Sequence, residues 1–99
     1  MSEYFVSQEA INDIENYAEY LLANAGRNVA SKFIDEIYQN FNLLANFPRI
    51  GRVVEDIPEG MLFFPNLHFK KYIFYRPLAK GVRIIRVLSH YQHYPGHFW

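Results

Sequence analysis

The sequence predicts an α+β domain in which a helical hairpin packs on one face of a small, mainly antiparallel sheet. In the first half of the chain, apolar residues recur every three or four positions, which is the period of an amphipathic helix. The second half carries short runs of Tyr, Phe, Ile and Val between Pro and Gly, which are typical of strands. The length of 99 residues suits one domain, residues 1–99, and the predicted order is β-α-α-β-β-β.

One strand and two helices are predicted in the first half. Residues Glu3–Val6 are a short strand candidate, and Ser7 is a favourable N-cap for a helix over about residues 8–25, which a glycine ends. A second helix begins near Asn28 and ends two residues before Pro48. Because only two or three residues separate the helices, we expect an antiparallel hairpin.

Three further strands are predicted after an irregular loop at residues 49–60. They lie at Met61–Phe64, Phe69–Arg76 and Val82–Leu88. Residues 77–81 form a five-residue hairpin loop between the last two strands. These strands complete the predicted sheet.

Both faces of the last two strands are apolar, as expected for strands that are covered on two sides. Strict alternation places Ile84 and Leu88 on one face of the last strand, and Ile85 and Val87 on the other. One helical hairpin covers only one face. The second face therefore needs the C-terminal tail or a partner chain, which is a first indication of a binding role.

The charges are divided along the chain, although ten basic and ten acidic residues cancel overall. All ten acidic residues precede Leu67, where only four basic residues oppose them, a balance of −6. The other six basic residues and all four histidines lie from Leu67 onward, with no acidic residue among them. This division indicates a basic surface on one side of the domain.

Basic and aromatic residues alternate in the C-terminal third, as in residues 69–76. Such cations bind phosphate, and exposed rings stack on nucleobases. The same positive charges would also attract an acidic protein segment. Alternatively, the rings are core residues and the cations lie along its rim. The residues expected to contact a partner are Lys71, Tyr72, Arg76, Arg83 and Arg86.

The C-terminal histidines are the candidates for chemistry. His90, His93 and His97 have metal-like spacing, but Pro95 and Gly96 interrupt them and no Cys or acidic residue lies nearby, so no metal is expected. His90 or His93 would suit proton transfer near neutral pH. The like-charged pairs four residues apart on the first helix are expected to be a solvated face eased by Arg27 or Lys32, not catalytic carboxylates.

Composition limits the setting of the protein. The absence of Cys excludes disulfides and thiolate metal or redox sites. No apolar run reaches the length of a membrane span, and the first residues do not resemble a signal peptide. We therefore expect a cytoplasmic domain without cofactors or a membrane partner.

A series of short motifs runs in order along nearly the whole chain. The main ones are L-A-N-F-P-R-I-G-R at residues 44–52 and Y-I-F-Y-R at residues 72–76. The others lie at residues 10–17, 30–37, 58–60, 64–65 and 82–88. Together they resemble the ParE branch of the ParE/RelE toxin family, whose fold has the β-α-α-β-β-β order predicted above.

The resemblance implies the toxin half of a bacterial type II toxin–antitoxin system, a class linked to plasmid stabilization. ParE-like members are associated with inhibition of DNA gyrase by binding, whereas RelE-like members are endoribonucleases that cut mRNA on the ribosome. In both branches an antitoxin with a DNA-binding N-terminal part wraps the toxin with its C-terminal arm. Acidic residues on that arm would meet the positive charges of the sheet.

Individual positions favour the gyrase-binding branch. RNA-cleaving relatives carry an arginine where this chain has Tyr72. In a ribonuclease, the phosphate and proton chemistry would fall to Arg76, Arg83, Arg86, and His90 or His93. The ParE-like tail pattern R-V-L-H-x-x-x-D has Ser89 and His93 in place of its His and Asp. These departures leave open a third interpretation, a detoxified module that only binds an antitoxin.

Overall fold

A computed structural model describes residues 3–53 and 60–89, which form two helices and one five-stranded sheet. The elements are β1 (Glu3–Val6), α1 (Gln8–Ala25), α2 (Arg27–Asn46), β2 (Arg52–Val53), β3 (Leu62–Asn66), β4 (Lys71–Leu78) and β5 (Gly81–Ser89). The spatial strand order is β1-β5-β4-β3-β2, with β1 parallel to β5 and the other pairs antiparallel. The predicted α+β class and element order are confirmed. Neither helix is long and apolar enough to cross a bilayer.

Helix α1 begins and ends where the sequence predicts. The Ser7 hydroxyl accepts a hydrogen bond from the Ala10 amide at 3.0 Å and donates one to the Ile85 carbonyl at 2.7 Å. This N-cap therefore also ties the helix to β5. Gly26 follows with a φ of +95°, which favours glycine. Helix α2 starts directly afterwards at Arg27, so Gly26 alone separates the helices instead of the two or three residues predicted, and it caps both.

Three predictions about the strands are corrected. Strand β3 does not end at Phe64, because Pro65 also pairs with Tyr72. At this position the short β2 no longer pairs with β3, and a missing amide donor is tolerated. The β4–β5 hairpin closes at Leu78 and Gly81, so its turn has two residues instead of five. Strand β2 lies at Arg52–Val53, within the segment expected to be loop.

A β-bulge changes which residues of β5 face the helices. The register between β4 and β5 shifts at Ile85, which has no pairing partner of its own on β4. Ile84 and Val87 therefore both lie in the core beneath the helices, whereas Ile85 and Leu88 belong to a cluster on the opposite face. Strict alternation was wrong here, since one extra residue reverses the side on which every later residue lies.

Apolar clusters cover both faces of the sheet. The larger one fills the space beneath the helices and includes the fully buried Phe33, Ile37, Phe41, Ile73 and Tyr75. The smaller one, on the opposite face, centres on Met61, Phe74 and Leu88, which are 4%, 0% and 1% exposed. These three residues are already buried within the chain, so the second face does not need a partner chain to bury its centre.

Candidate partner-binding surfaces

The five residues predicted to contact a partner lie at three separate places. Tyr72 belongs to the cluster on the face opposite the helices, and Arg76 and Arg83 alternate with residues of the main core and so share that face. Lys71 lies on the helix side at the start of β4, and Arg86 contacts α1. The prediction of one basic surface is wrong, because alternation along β4 separates Lys71 from Arg76, and Asp13 binds Arg86. Their role in partner contact stays a prediction.

Arg76 and Arg83 lie directly opposite each other on β4 and β5. Arg83 is exposed, and its partner on β1 is Phe5, which is 47% exposed. We call Phe5, Arg83 and Arg76 the arginine row. Two like charges in direct cross-strand register repel each other, so an anionic group bound at the row would be favourable.

Arg86 is held in a bidentate ion pair with Asp13 of α1. Its Nε and Nη2 atoms each donate to a carboxylate oxygen of Asp13 at 2.8 Å, and the Val87 amide donates to the same carboxylate at 2.9 Å. The hydrogen bond to Asp13 raises the pKa of Arg86 above its usual range. The Asp13 side chain is only 14% exposed, so the expectation of a solvated acidic face fails at this position. The ion pair joins α1 to β5.

Lys71 has an aromatic partner on the helix side. Its Nζ lies 3.8 Å from the centroid of the Tyr17 ring, which makes a cation–π contact. Burial lowers the pKa of Lys71, and the charge of Asp13 opposes this shift without cancelling it. Tyr17 was not predicted as a partner of Lys71, although Tyr17 and Tyr20 stand three positions apart on the helix and so can form a common aromatic surface.

The one histidine in the described part of the chain braces the β3–β4 connection. His68 Nδ1 lies 2.7 Å from a carboxylate oxygen of Glu36 on α2. The buried Asn66 side chain donates to Asn40 at 2.7 Å and accepts from the Phe69 amide at 2.9 Å. These contacts attach the turn between β3 and β4 to α2.

The other candidates for chemistry fall elsewhere. His90 and His93, the proposed proton carriers, lie outside the described residues, so their role stays a prediction. Within residues 3–53 and 60–89, no group of three or more His, Asp or Glu side chains is arranged to hold a metal ion. Of the three arginines assigned to phosphate in a ribonuclease, Arg76 and Arg83 adjoin each other and Arg86 is bound to Asp13.

Comparison with known proteins decides the family. Residues 4–94 match the family model described as the ParE toxin of the type II toxin-antitoxin system parDE. The chain belongs to the ParE toxin family. It is similar in fold to a solved structure titled "Chromosomal ParDE TA system from P. aeruginosa", with a TM-score of 0.77 and 18% identity over 90% of this chain and 96% of the other. No curated protein sequence gives a significant match.

Two of the surfaces of this ParE toxin are candidates for partner contact. The arginine row presents exposed positive charge on one side of the sheet. Lys71 and the tyrosines of α1 lie on the other side. Arg86 has a structural role, because its guanidinium and the carboxylate of Asp13 hold α1 against β5.

Proposed function

We propose that this ParE toxin inhibits DNA gyrase by binding and is neutralised by an antitoxin with an acidic arm. The match over residues 4–94 to the toxin of parDE supports a toxin with an antitoxin partner. The arginine row supports recognition of an acidic group, because Arg76 and Arg83 pair across β4 and β5 on one face of the sheet. Both interactions take place in the cytoplasm.

The environment of Arg86 favours binding over RNA cleavage. A ribonuclease of the RelE type needs cations that contact the scissile phosphate while its charge develops. Two N–H groups of Arg86 instead donate to Asp13, and the Arg86 side chain is 19% exposed. Tyr72 occupies the position at which RNA-cleaving relatives carry arginine. The cations available to a phosphate are therefore fewer than the sequence alone indicates.

A DNA supercoiling assay tests the gyrase proposal directly. Purified protein in molar excess over gyrase should reduce supercoiling of relaxed plasmid and trap covalent gyrase–DNA complexes. Normal supercoiling without trapped complexes would contradict the proposal. A heat-denatured sample of the same preparation is the control for nonspecific inhibition.

Expression in cells separates the remaining interpretations. Primer extension on cellular mRNA after induction should reveal no new 5′ ends. New 5′ ends at defined codon positions would instead establish ribosome-dependent cleavage of mRNA. The toxin can also be co-expressed with a neighbouring gene for a small acidic DNA-binding protein. If that gene relieves growth arrest, the result would support neutralisation by an antitoxin. Harmless expression without that gene would indicate a detoxified binding module.

A further inference from the structure

A cleft of about 410 Å³ lies between α1 and the start of β4. Three of its six lining residues are aromatic, Tyr17, Tyr20 and Phe69, and the other three are Lys70, Lys71 and Ser89. The rings of Tyr17 and Tyr20 are stacked, with centroids 5.7 Å apart and an interplanar angle of 20°. Tyr20 is 57% exposed, so the aromatic surface is accessible to a ligand. A smaller depression of about 250 Å³ shares both tyrosines and Lys71.

The fold provides this cleft with a positive charge that it does not neutralise. Among the described residues, no carboxylate forms an ion pair with Lys71. Asp13 is the acidic group whose charge acts on Lys71, but its oxygens already accept hydrogen bonds from Arg86 and the Val87 amide. An ammonium group that is half-buried without a carboxylate destabilises the folded state. Burial accordingly lowers the pKa of Lys71.

The lining of the cleft indicates the class of ligand. Stacked rings favour an apolar side chain, and the volume is that of a small-molecule or side-chain pocket. Nucleic acid would need a series of cations that follows its backbone. The arginine row cannot extend this site, because it lies on the opposite face of the sheet.

We propose that this cleft anchors one apolar side chain of a partner polypeptide, and that Lys71 binds the carboxylate of an acidic residue next to it. The inference rests on the proposed function in that the partner is the arm of the antitoxin. A carboxylate at Lys71 would add a charge-assisted hydrogen bond and offset the cost of burying the ammonium group. The cleft thus selects an acidic segment over a neutral one.

Two matched peptides test the selection. The ¹⁵N-labelled full chain is titrated with acetyl-Leu-Phe-Glu-Glu-amide and with acetyl-Leu-Phe-Gln-Gln-amide while amide shifts are followed by NMR. The largest shifts should fall on Tyr17, Tyr20, Phe69 and Lys71, and the Glu peptide should bind about tenfold more tightly. Equal affinities, shifts centred elsewhere, or no binding would overturn the proposal.

Variants separate the charge from the apolar surface. Lys71→Met should remove the preference for Glu over Gln, whereas Lys71→Arg should retain it. Lys32→Met on the exposed face of α2 makes the same change away from the cleft and should leave both affinities unaltered. Tyr20→Ala should weaken both peptides alike. A Glu preference that persists in Lys71→Met would overturn the role of Lys71.

Thermal unfolding distinguishes a binding role from a structural one. Because burial lowers the pKa of Lys71, Lys71→Met should raise the melting temperature while it weakens the Glu peptide. A lower melting temperature would mean that the fold depends on the ammonium group and would contradict the inference. Peptide binding is measured without gyrase. A negative supercoiling assay would therefore not contradict peptide binding, and a failure of peptide binding would not contradict inhibition of gyrase.

Discussion

At the scale of single residues, the ion pair between Asp13 and Arg86 is the contact on which stability depends most clearly. Asp13→Ala should leave a largely buried guanidinium and the Val87 amide without their acceptor. We expect a loss of about 2–4 kcal/mol in the free energy of unfolding, measured by urea denaturation. Asp35→Ala, which removes an exposed carboxylate from α2, should change it by less than about 0.5 kcal/mol. Equal effects of the two variants would refute this role.

Tyr75 provides a second prediction, which depends on pH. Its hydroxyl donates to the Pro48 carbonyl at 2.8 Å and accepts from the Gly51 amide at 2.9 Å. Tyr75→Phe should therefore lower the free energy of unfolding by about 1–3 kcal/mol near pH 7. Burial raises the pKa of Tyr75 in the folded state, so its stabilising contribution is complete below the unfolded-state pKa of about 10 and is lost as pH rises through the folded-state value.

The pH comparison isolates Tyr75 from the other titrating groups. Burial also raises the pKa of Tyr38 and lowers that of Lys71, but both groups are present in the wild type and in Tyr75→Phe. Between pH 9 and pH 11 the wild type should lose more stability than the variant, so their unfolding free energies should converge. Parallel curves over this range would show that ionisation of Tyr75 is not coupled to folding.

Residue contacts were predictable from the sequence only where they are local. The Ser7 cap follows from a side chain and an amide three positions apart. The acceptor of Arg86 lies 73 positions away on α1, and no spacing rule connects the two residues. The predicted partners of the acidic face were Arg27 or Lys32, and only the packing of α1 on β5 brings Arg86 to Asp13.

At the scale of elements, the parallel pairing of β1 with β5 depends on Gly81. Gly81 has a φ of +127°, and a Cβ atom there would collide with the backbone carbonyl of Glu3. Gly81→Ala should detach β1 and remove the amide protection of residues 3–6 in hydrogen exchange, with a loss of about 3 kcal/mol or more in stability. Gly26→Ala adds backbone strain in open space, so β1 should keep its protection. Unchanged protection in Gly81→Ala would contradict this account.

Element type was easier to predict than register. Helix α1 was located from its apolar period, its N-cap and its terminal glycine, all of which are local signals. The bulge at Ile85 leaves no comparable mark, since the segment reads as a continuous apolar strand. It is set by the pairing with β4 and by the Ser7 hydroxyl, which bonds the Ile85 carbonyl. The position of Arg86 in the candidate site was unpredictable for the same reason, because Arg86 directly follows the bulge.

At the scale of the whole molecule, the division of charge along the sequence does not produce one basic face. Lys71 lies on the helix side and Arg86 is bound to Asp13 of α1, while Arg76 and Arg83 lie on the opposite face of the sheet. Of these four cations, Arg83 is the exposed one, and it lies on the face away from α1. It is therefore the position at which a change of charge tests binding with the least effect on folding.

Arg83→Glu should weaken function without weakening the fold. The new carboxylate would stand opposite Arg76, which replaces a repulsive cross-strand pair by an attractive one worth about 0.2–1 kcal/mol. Arg27→Glu is a matched control, because it makes the same change of charge in the first turn of α2, where the helix dipole favours an acidic residue. Both variants should melt at or above the wild-type temperature. Only Arg83→Glu should raise the toxin concentration needed to inhibit gyrase, by about tenfold. Equal inhibition by both variants would exclude the arginine row from the interface with gyrase.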